Sequence, residues 1–343
     1  KMKVGVYVGK FMPPHKGHLQ AMEHFQSQLD LLYVCPCFTL GETVPISQRI
    51  TWMSQLAAPF PKIKIHPILD QIKNPPQNDV SDSSCAAAWA DYLLKQFPNA
   101  THFCGAEDYI GMMAQHSNLQ SLQIPRFSDF KASQISSFNF FCAANPKIQR
   151  ELVPKILVTG VESSGKSTLS LKLAAKFHAE FVPEYGRIHT DLFSGVLEQN
   201  DLFMGEKDLL EIALRHNKLV YKAVERAAIQ KMECVVVDTD HVVTGEFFER
   251  FFGKRSQEID EMAMYQRYDL VFFLNKLKFT QDGSRREYDE NIRESWEQAL
   301  KDRYQLLQVP IIEIKEGTVE ERLEQMYGIL KDKIIERNKN LSD

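Results

Sequence analysis

"GVESSGKSTL", residues 160–169, decides the fold of the second half of the chain. Gly160, Gly165, Lys166 and Ser167 fall in the spacing GxxxxGK[ST], after the apolar run "KILVTG" (155–160) and before a helical pattern. That spacing carries meaning only between a strand and a helix, and this context is met. The glycines permit a tight turn whose backbone N–H groups point inward at phosphate oxygens. The helix that follows adds the positive end of its dipole. Lys166 is expected to reach the β- and γ-phosphates of ATP, and Ser167 to ligate Mg²⁺. The candidate ATP-binding set is Gly160, Glu162, Ser163, Ser164, Gly165, Lys166, Ser167 and Thr168.

Three further stretches bear on whether the loop serves a kinase. "VVVDTD" (235–240) is an apolar strand ending in two acids, Asp238 and Asp240. Ligands bind at the carboxyl edge of an open parallel sheet, so these acids belong beside metal and substrate. Glu184-Tyr185-Gly186-Arg187 follows the next strand pattern, "AEFV" (179–182). A carboxylate there can bind ribose hydroxyls, an aromatic ring can stack on a base, and an arginine can hold phosphate. Tyr185 reads equally well as a packed aromatic. "TQDGSRRE" (280–287) is a polar loop placed to close as a lid and exclude water, with Arg285 as its catalytic candidate. Asp238 is the expected metal-side acid; Glu184 and Asp240 stand unranked as the group that meets the sugar.

The first half opens on a different loop. "GKFMPPHKGHL" (9–19) follows the strand pattern "KVGVYV" (3–8) and carries Gly9, Lys10, Phe11, His15 and His18 in the spacing GxFxPxHxGH. Two histidines three apart at a helix start share one face, aimed where the dipole attracts phosphate. They can stabilise charge that builds on a nucleotide's phosphates during nucleotidyl transfer. Strand patterns at "LLYVCP" (31–36), "IKIHPI" (63–68) and "THFCG" (101–105) alternate with helical ones at 47–57 and 85–97. Such alternation predicts a parallel sheet covered on both faces.

The expected fold class is α/β, with two doubly wound parallel-sheet domains: residues 1–145, a linker at 146–154, and residues 155–343. A chain of 343 residues suits two cores of ordinary size. Hydrophobic residues at 44%, charged residues at 25% and a net charge of −4 argue against a broad nucleic-acid footprint, so no DNA partner is expected. The six cysteines show no CxxC spacing and are expected to be buried, reduced thiols. No apolar run reaches the ~20 residues that span a bilayer, and no signal peptide precedes the first strand. The expectation is a cytoplasmic enzyme without membrane insertion; a homo-oligomer is left open.

Taken together, GKFxPxHxGH, "QRITWM" (48–53) with Arg49 and Trp52, GxESSGKS, EYGR, DTD and the late DGxR resemble the NadR-type bifunctional enzymes of NAD synthesis. Their first domain is of the nucleotidyltransferase superfamily. The resemblance implies a ribosylnicotinamide kinase that makes nicotinamide mononucleotide from nicotinamide riboside and ATP, joined to a domain of the type that adenylylates the product to NAD. It departs from the family in two places. With the first strand pattern at residues 3–8, the helix-turn-helix repressor domain often found in the family is not expected in this chain. The family's second nucleotidyltransferase signature carries an arginine that grips the ATP phosphates. In "FKASQISSFNFF" (130–141) that position falls on Ser136 in one register and on Phe141 in the other. A group aimed at transition-state charge is worth about 10²–10³ in rate, so weak or absent adenylyl transfer is expected unless Arg126 or Lys131 takes over. A fully bifunctional enzyme and a nucleotide-sensing first domain are the alternatives.

Overall fold

The structure is a computed structural model that describes residues 2–39, 42, 44–70, 83–124, 146–194, 204–276 and 290–342. Internal contacts divide the chain into two compact units, Lys1–Gln149 with Glu336–Asp343, and Arg150–Ile335.

The first unit runs β1 (Val4–Gly9), α1 (Lys16–Gln28), β2 (Leu31–Phe38), α2 (Ile46–Ala57), β3 (Ile63–Ile65), β4 (Ile68–Leu69), α3 (Ser83–Gln96), β5 (His102–Gly105), α4 (Tyr109–His116) and β6 (Gln120–Gln123). Its strands pair in the order β3-β2-β1-β5-β6, with β4 also on β2. Every pairing is parallel. The central strands read as continuous apolar runs because helices cover both faces of the sheet. Val6, Cys35 and Phe103 bury one face against Ala90 and Leu93 of α3, Phe97 just after it, and Met113 of α4. The strand order reverses at β1, which places the loop carrying His15 at the switch point between β1 and β5.

"IKIHPI", read as one strand, is two. β3 pairs with Leu32–Val34 and β4 with Cys37 and Phe38, and Pro67, which has no N–H to give a ladder, lies between them. Helix α5 (Pro146–Leu152) occupies most of the stretch expected as a linker.

The second unit continues with β7 (Lys155–Gly160), α6 (Lys166–Lys176), β8 (Glu180–Val182), α7 (Tyr185–Ser194), α8 (Glu206–Gln230), β9 (Val235–Asp238), α9 (His241–Phe252), α10 (Gln257–Tyr265), β10 (Leu270–Leu274), α11 (Glu290–Leu306), β11 (Ile312–Ile314) and α12 (Val319–Ser342). The strand order is β11-β10-β7-β9-β8, again all parallel. Alternation along each strand feeds two cores. Leu157, Val235 and Val237 face α8 and α11, where Ala223, Ala227, Trp296, Leu300 and Tyr304 meet them. Ile156, Val158 and Val236 face α6 and α12, against Leu169, Leu173, Met326 and Leu330. Cys35, Cys37, Cys85, Cys104 and Cys234 are buried and free.

The end of β7 admits only glycine. Gly160 has φ +138°, and a Cβ there would stand 2.3 Å from the Leu274 backbone oxygen on β10. Gly160→Ala combines a forbidden backbone region with overlap against an immovable atom, at a cost of about 3 kcal/mol or more. Urea unfolding of the variant should show the second unit losing its structure at clearly lower denaturant. A midpoint equal to that of the parent would refute the close approach.

Candidate active site

The loop between β7 and α6 is held from outside as well as by its own glycines. Gly165, the N-cap of α6, is left-handed at φ +86°, and Ser163 joins it at φ +59°. The Ser164 hydroxyl and the Lys166 ammonium both donate to the Val161 carbonyl, each at 2.8 Å. Two buried arginines reach in from distant helices. Arg293 of α11 donates to the Glu162 carbonyl (3.2 Å) and Arg322 of α12 to the Ser164 carbonyl (2.9 Å). With its carbonyls turned outward onto these donors, the loop leaves its N–H groups for an anion.

Asp238 ends β9 and is buried. Its carboxyl hydrogen-bonds the Ser167 side chain, and burial raises its pKa against the pull of Lys166 and Ser167. A hydroxyl and a carboxylate in contact at the head of a phosphate loop are hard oxygen donors. They fit Mg²⁺, which takes one or two protein oxygens and leaves the rest to phosphates and water.

Glu184 precedes α7 and is partly exposed to a cavity of about 720 Å³. Burial pushes its pKa up, Lys166 pulls it down, and the Asp238 carboxylate pushes it up again. Asp240 is differently placed. It N-caps α9, and its Oδ1 accepts from the Val243 N–H (3.2 Å) and the Tyr304 hydroxyl (2.9 Å). Burial still raises its pKa to about 6. Asp240 is thus tied into the fold at its capping oxygen, whereas Glu184 leans over the cavity.

One cavity brings together Gly160, Glu162, Ser163, Gly165, Lys166, Ser167, Thr168, Glu184, Tyr185, Arg187 and Asp240; Ser164 and Asp238 are buried behind its wall. Tyr185 lines the cavity and also packs on Leu209, Ile212 and Phe248. Arg187 is exposed at the rim. The cavity is also lined by the apolar and aromatic side chains of Met204, Phe247, Phe251, Trp296 and Leu300, and by His216. None of these, nor Arg293, Arg322 or Tyr304, is signalled by a local motif; apart from Met204, which precedes α8, they arrive from helices far along the chain. Arg285 and the loop 280–287 lie outside the described residues, as do Arg126, Lys131, Ser136 and Phe141.

In the first unit, Gly9 ends β1 and a Cβ there would press on the Phe11 ring at 3.0 Å. Phe11 itself is left-handed at φ +48° and buried. His15 N-caps α1, and its backbone N–H donates to His18 Nδ1 (3.1 Å). The His18 proton therefore sits on Nε2. The two rings stack with centroids 3.5 Å apart. Burial lowers the His15 pKa to about 4; burial, then the His15 ring, lowers that of His18. At neutral pH the pair offers polar N–H groups rather than cations. Arg49 lies beneath this loop, fully buried, donating to the Lys10 (2.8 Å) and Cys37 (3.0 Å) carbonyls and paired with Glu42. The Lys10 side chain is exposed.

The profile of the AAA domain family matches residues 155–322. The trifunctional NAD biosynthesis/regulator protein NadR of Salmonella typhimurium is 24% identical over 349 residues, which span 96% of this chain and 83% of that protein. A solved NadR protein in complex with NR superposes with a TM-score of 0.60 at 17% identity, covering 97% of this chain and 96% of that one. A NadR protein in complex with NAD and AMP-PNP gives 0.57 at 18% over the same shares. The chain carries the two-domain fold of these proteins and is homologous to NadR along nearly all of its length.

Proposed function

From this homology to the NadR proteins we infer an enzyme of NAD biosynthesis whose second domain, residues 155–343, phosphorylates nicotinamide riboside with ATP. One observation carries the reading: Lys166 and Ser167 of the phosphate loop open onto the same cavity as Glu184 and Arg187, and Met204, Phe247, Phe251 and Trp296 line that cavity too. The NadR structures bound to NR and to AMP-PNP support the same pair of ligands. Glu184 takes the proton of the riboside 5′-hydroxyl as its oxygen attacks the γ-phosphorus, and the bond to the β-bridging oxygen breaks to release ADP. Glu184 holds this role ahead of Asp240, whose capping oxygen already serves Val243 and Tyr304. Lys166 follows the charge on the transferring phosphoryl group. Ser167 and Asp238 hold Mg²⁺, which neutralises phosphate charge when bound. The aromatic residues of the cavity take the pyridinium ring, and Arg285 is the proposed catalytic arginine. The cytoplasm is the proposed place of work.

The first domain, residues 1–145, is of the nicotinamide-mononucleotide adenylyltransferase type and turns over weakly or not at all. The loop of Lys10, His15 and His18 can hold phosphate, but Ser136 or Phe141 stands where the second signature needs arginine. Arg49 is no substitute, since its guanidinium is engaged with Glu42 and two carbonyls below the loop.

Incubation with nicotinamide riboside, ATP and Mg²⁺, followed by separation of products, tests both statements. The expected product is the mononucleotide, with little NAD. Consumption of ATP without a phosphorylated riboside would overturn the kinase. NAD formed from mononucleotide and ATP at about one turnover per second, an ordinary enzyme rate, would overturn the weak first domain. A slow rate that rises in Ser136→Arg would locate the defect.

A further inference from the structure

We propose that His216 is a positioning residue of this kinase: by holding the Thr239 carbonyl from across the cavity wall, it fixes the turn that sets Asp238 and Asp240. The proposal rests on the kinase reading above.

The turn is costly. Thr239 lies between the two acids with φ +69°, a region β-branched residues avoid at about 1–3 kcal/mol. Such a conformation persists only where its surroundings over-determine it. Three hydrogen bonds do so. The Thr239 N–H donates to the Val158 carbonyl on β7 (3.1 Å), and its hydroxyl donates to Asp238 (3.3 Å). The third comes from a different element: His216 of α8 reaches the Thr239 carbonyl at 3.1 Å. Sheet pairing and a neighbouring side chain supply the first two. Only the third ties the turn to the helix that lines the substrate cavity.

The chemistry of the ring suits a fixed donor. A carbonyl only accepts, so the proton is on Nε2. Burial lowers the His216 pKa to about 4, which leaves a neutral ring and one defined tautomer at neutral pH. His216 is 3% exposed, on the face of α8 that also buries Ile212, Ala213 and Val220. His241, next to Asp240 in sequence, packs edge-on against it at 6.0 Å between centroids. Neither nitrogen of His241 has a hydrogen-bond partner among the described residues, so it seats the ring without sharing its bond. Releasing the Thr239 carbonyl lets the residue relax toward negative φ and turns the two acids away from their places. The phosphate loop keeps its two arginine braces through that change and gives up only the contact of Ser167 with Asp238.

The test uses the full-length protein in steady-state kinetics with nicotinamide riboside, ATP and Mg²⁺. His216→Phe keeps the ring volume and removes the donor. Displacing reacting groups by an ångström can cost about 10²-fold, so kcat should fall roughly 10- to 100-fold, with a smaller change in the KM for ATP. His216→Gln, whose amide reaches the Nε2 position, should recover most of the loss; His216→Asn, which is too short, should not. Should His216→Phe fail to fold, the comparison of Gln with Asn decides alone. A kcat for His216→Phe within twofold of the parent, or equal activity of the Gln and Asn variants, overturns the proposal. A parent protein that phosphorylates no riboside overturns the kinase reading itself, and His216 with it.

Discussion

Lys166→Ala is expected to abolish riboside phosphorylation while leaving both units folded. Lys166 is the first residue of α6, and its ammonium lies on the cavity side of the loop, donating to the Val161 carbonyl at 2.8 Å. Losing that single bond costs the fold about 1 kcal/mol, too little to unfold a domain whose two cores lie elsewhere. The catalytic loss is far larger. A positioned cation acts where charge develops on the transferring phosphoryl group, and its removal costs about 10²–10³ in rate. Neighbouring side chains offer little replacement: Arg293 and Arg322 are engaged on the back of the loop with the Glu162 and Ser164 carbonyls. Circular dichroism should match that of the parent. Retention of more than about a tenth of parental turnover, against the loss expected for such a group, would show that Lys166 does not act on the phosphoryl group.

The second large effect is expected at Glu184. Glu184→Gln keeps the shape of the side chain and its reach to a hydroxyl, yet it cannot take a proton. Removing a general base costs about 10²–10⁴ in rate, and the loss should fall on kcat with little change in the KM for ATP. Asp240→Asn makes an informative companion, because the amide oxygen can still cap α9 and accept from Tyr304, so a smaller loss is expected there. Equal losses in the two variants, or a Glu184→Gln enzyme within tenfold of the parent, would remove Glu184 from the proton's path. The local setting supports a base held ready: burial and the Asp238 carboxylate raise its pKa while Lys166 keeps it from rising further.

Much of this was legible before any coordinates. Strands such as "KILVTG" and "VVVD" are too apolar for anything but a covered parallel sheet, and the loops after β1 and β7 carry their spacing within a dozen residues. The elements that the sequence pattern does not show differ in cause. α9 contains Gly245, which reads locally as a breaker. In the structure a Cβ there would stand 3.0 Å from Arg255 Nη2, so the glycine makes room for a packed arginine rather than ending the helix. α4 and β6 are short and carry no strong period. At the site, "DTD" shows two acids but not their division of labour. That division depends on Tyr304, 64 residues away, donating to one of them. His216 reads in sequence as a lone histidine in an amphipathic helix, and only the register of α8 against β9 gives it a partner.

The Arg322 bond to the Ser164 carbonyl spans 158 residues of sequence, and that distance sets an order of events during synthesis. Domains assemble on the ribosome from the N-terminus at about 5–20 residues per second. The phosphate loop emerges early, yet the brace on its far side exists only once α12 has left the exit tunnel. Nascent chains, and chains clipped before residue 322, thus carry the complete GxxxxGK[ST] motif with one of its two guanidinium supports missing. The full bracing of the loop arrives late, with the helix that carries Arg322.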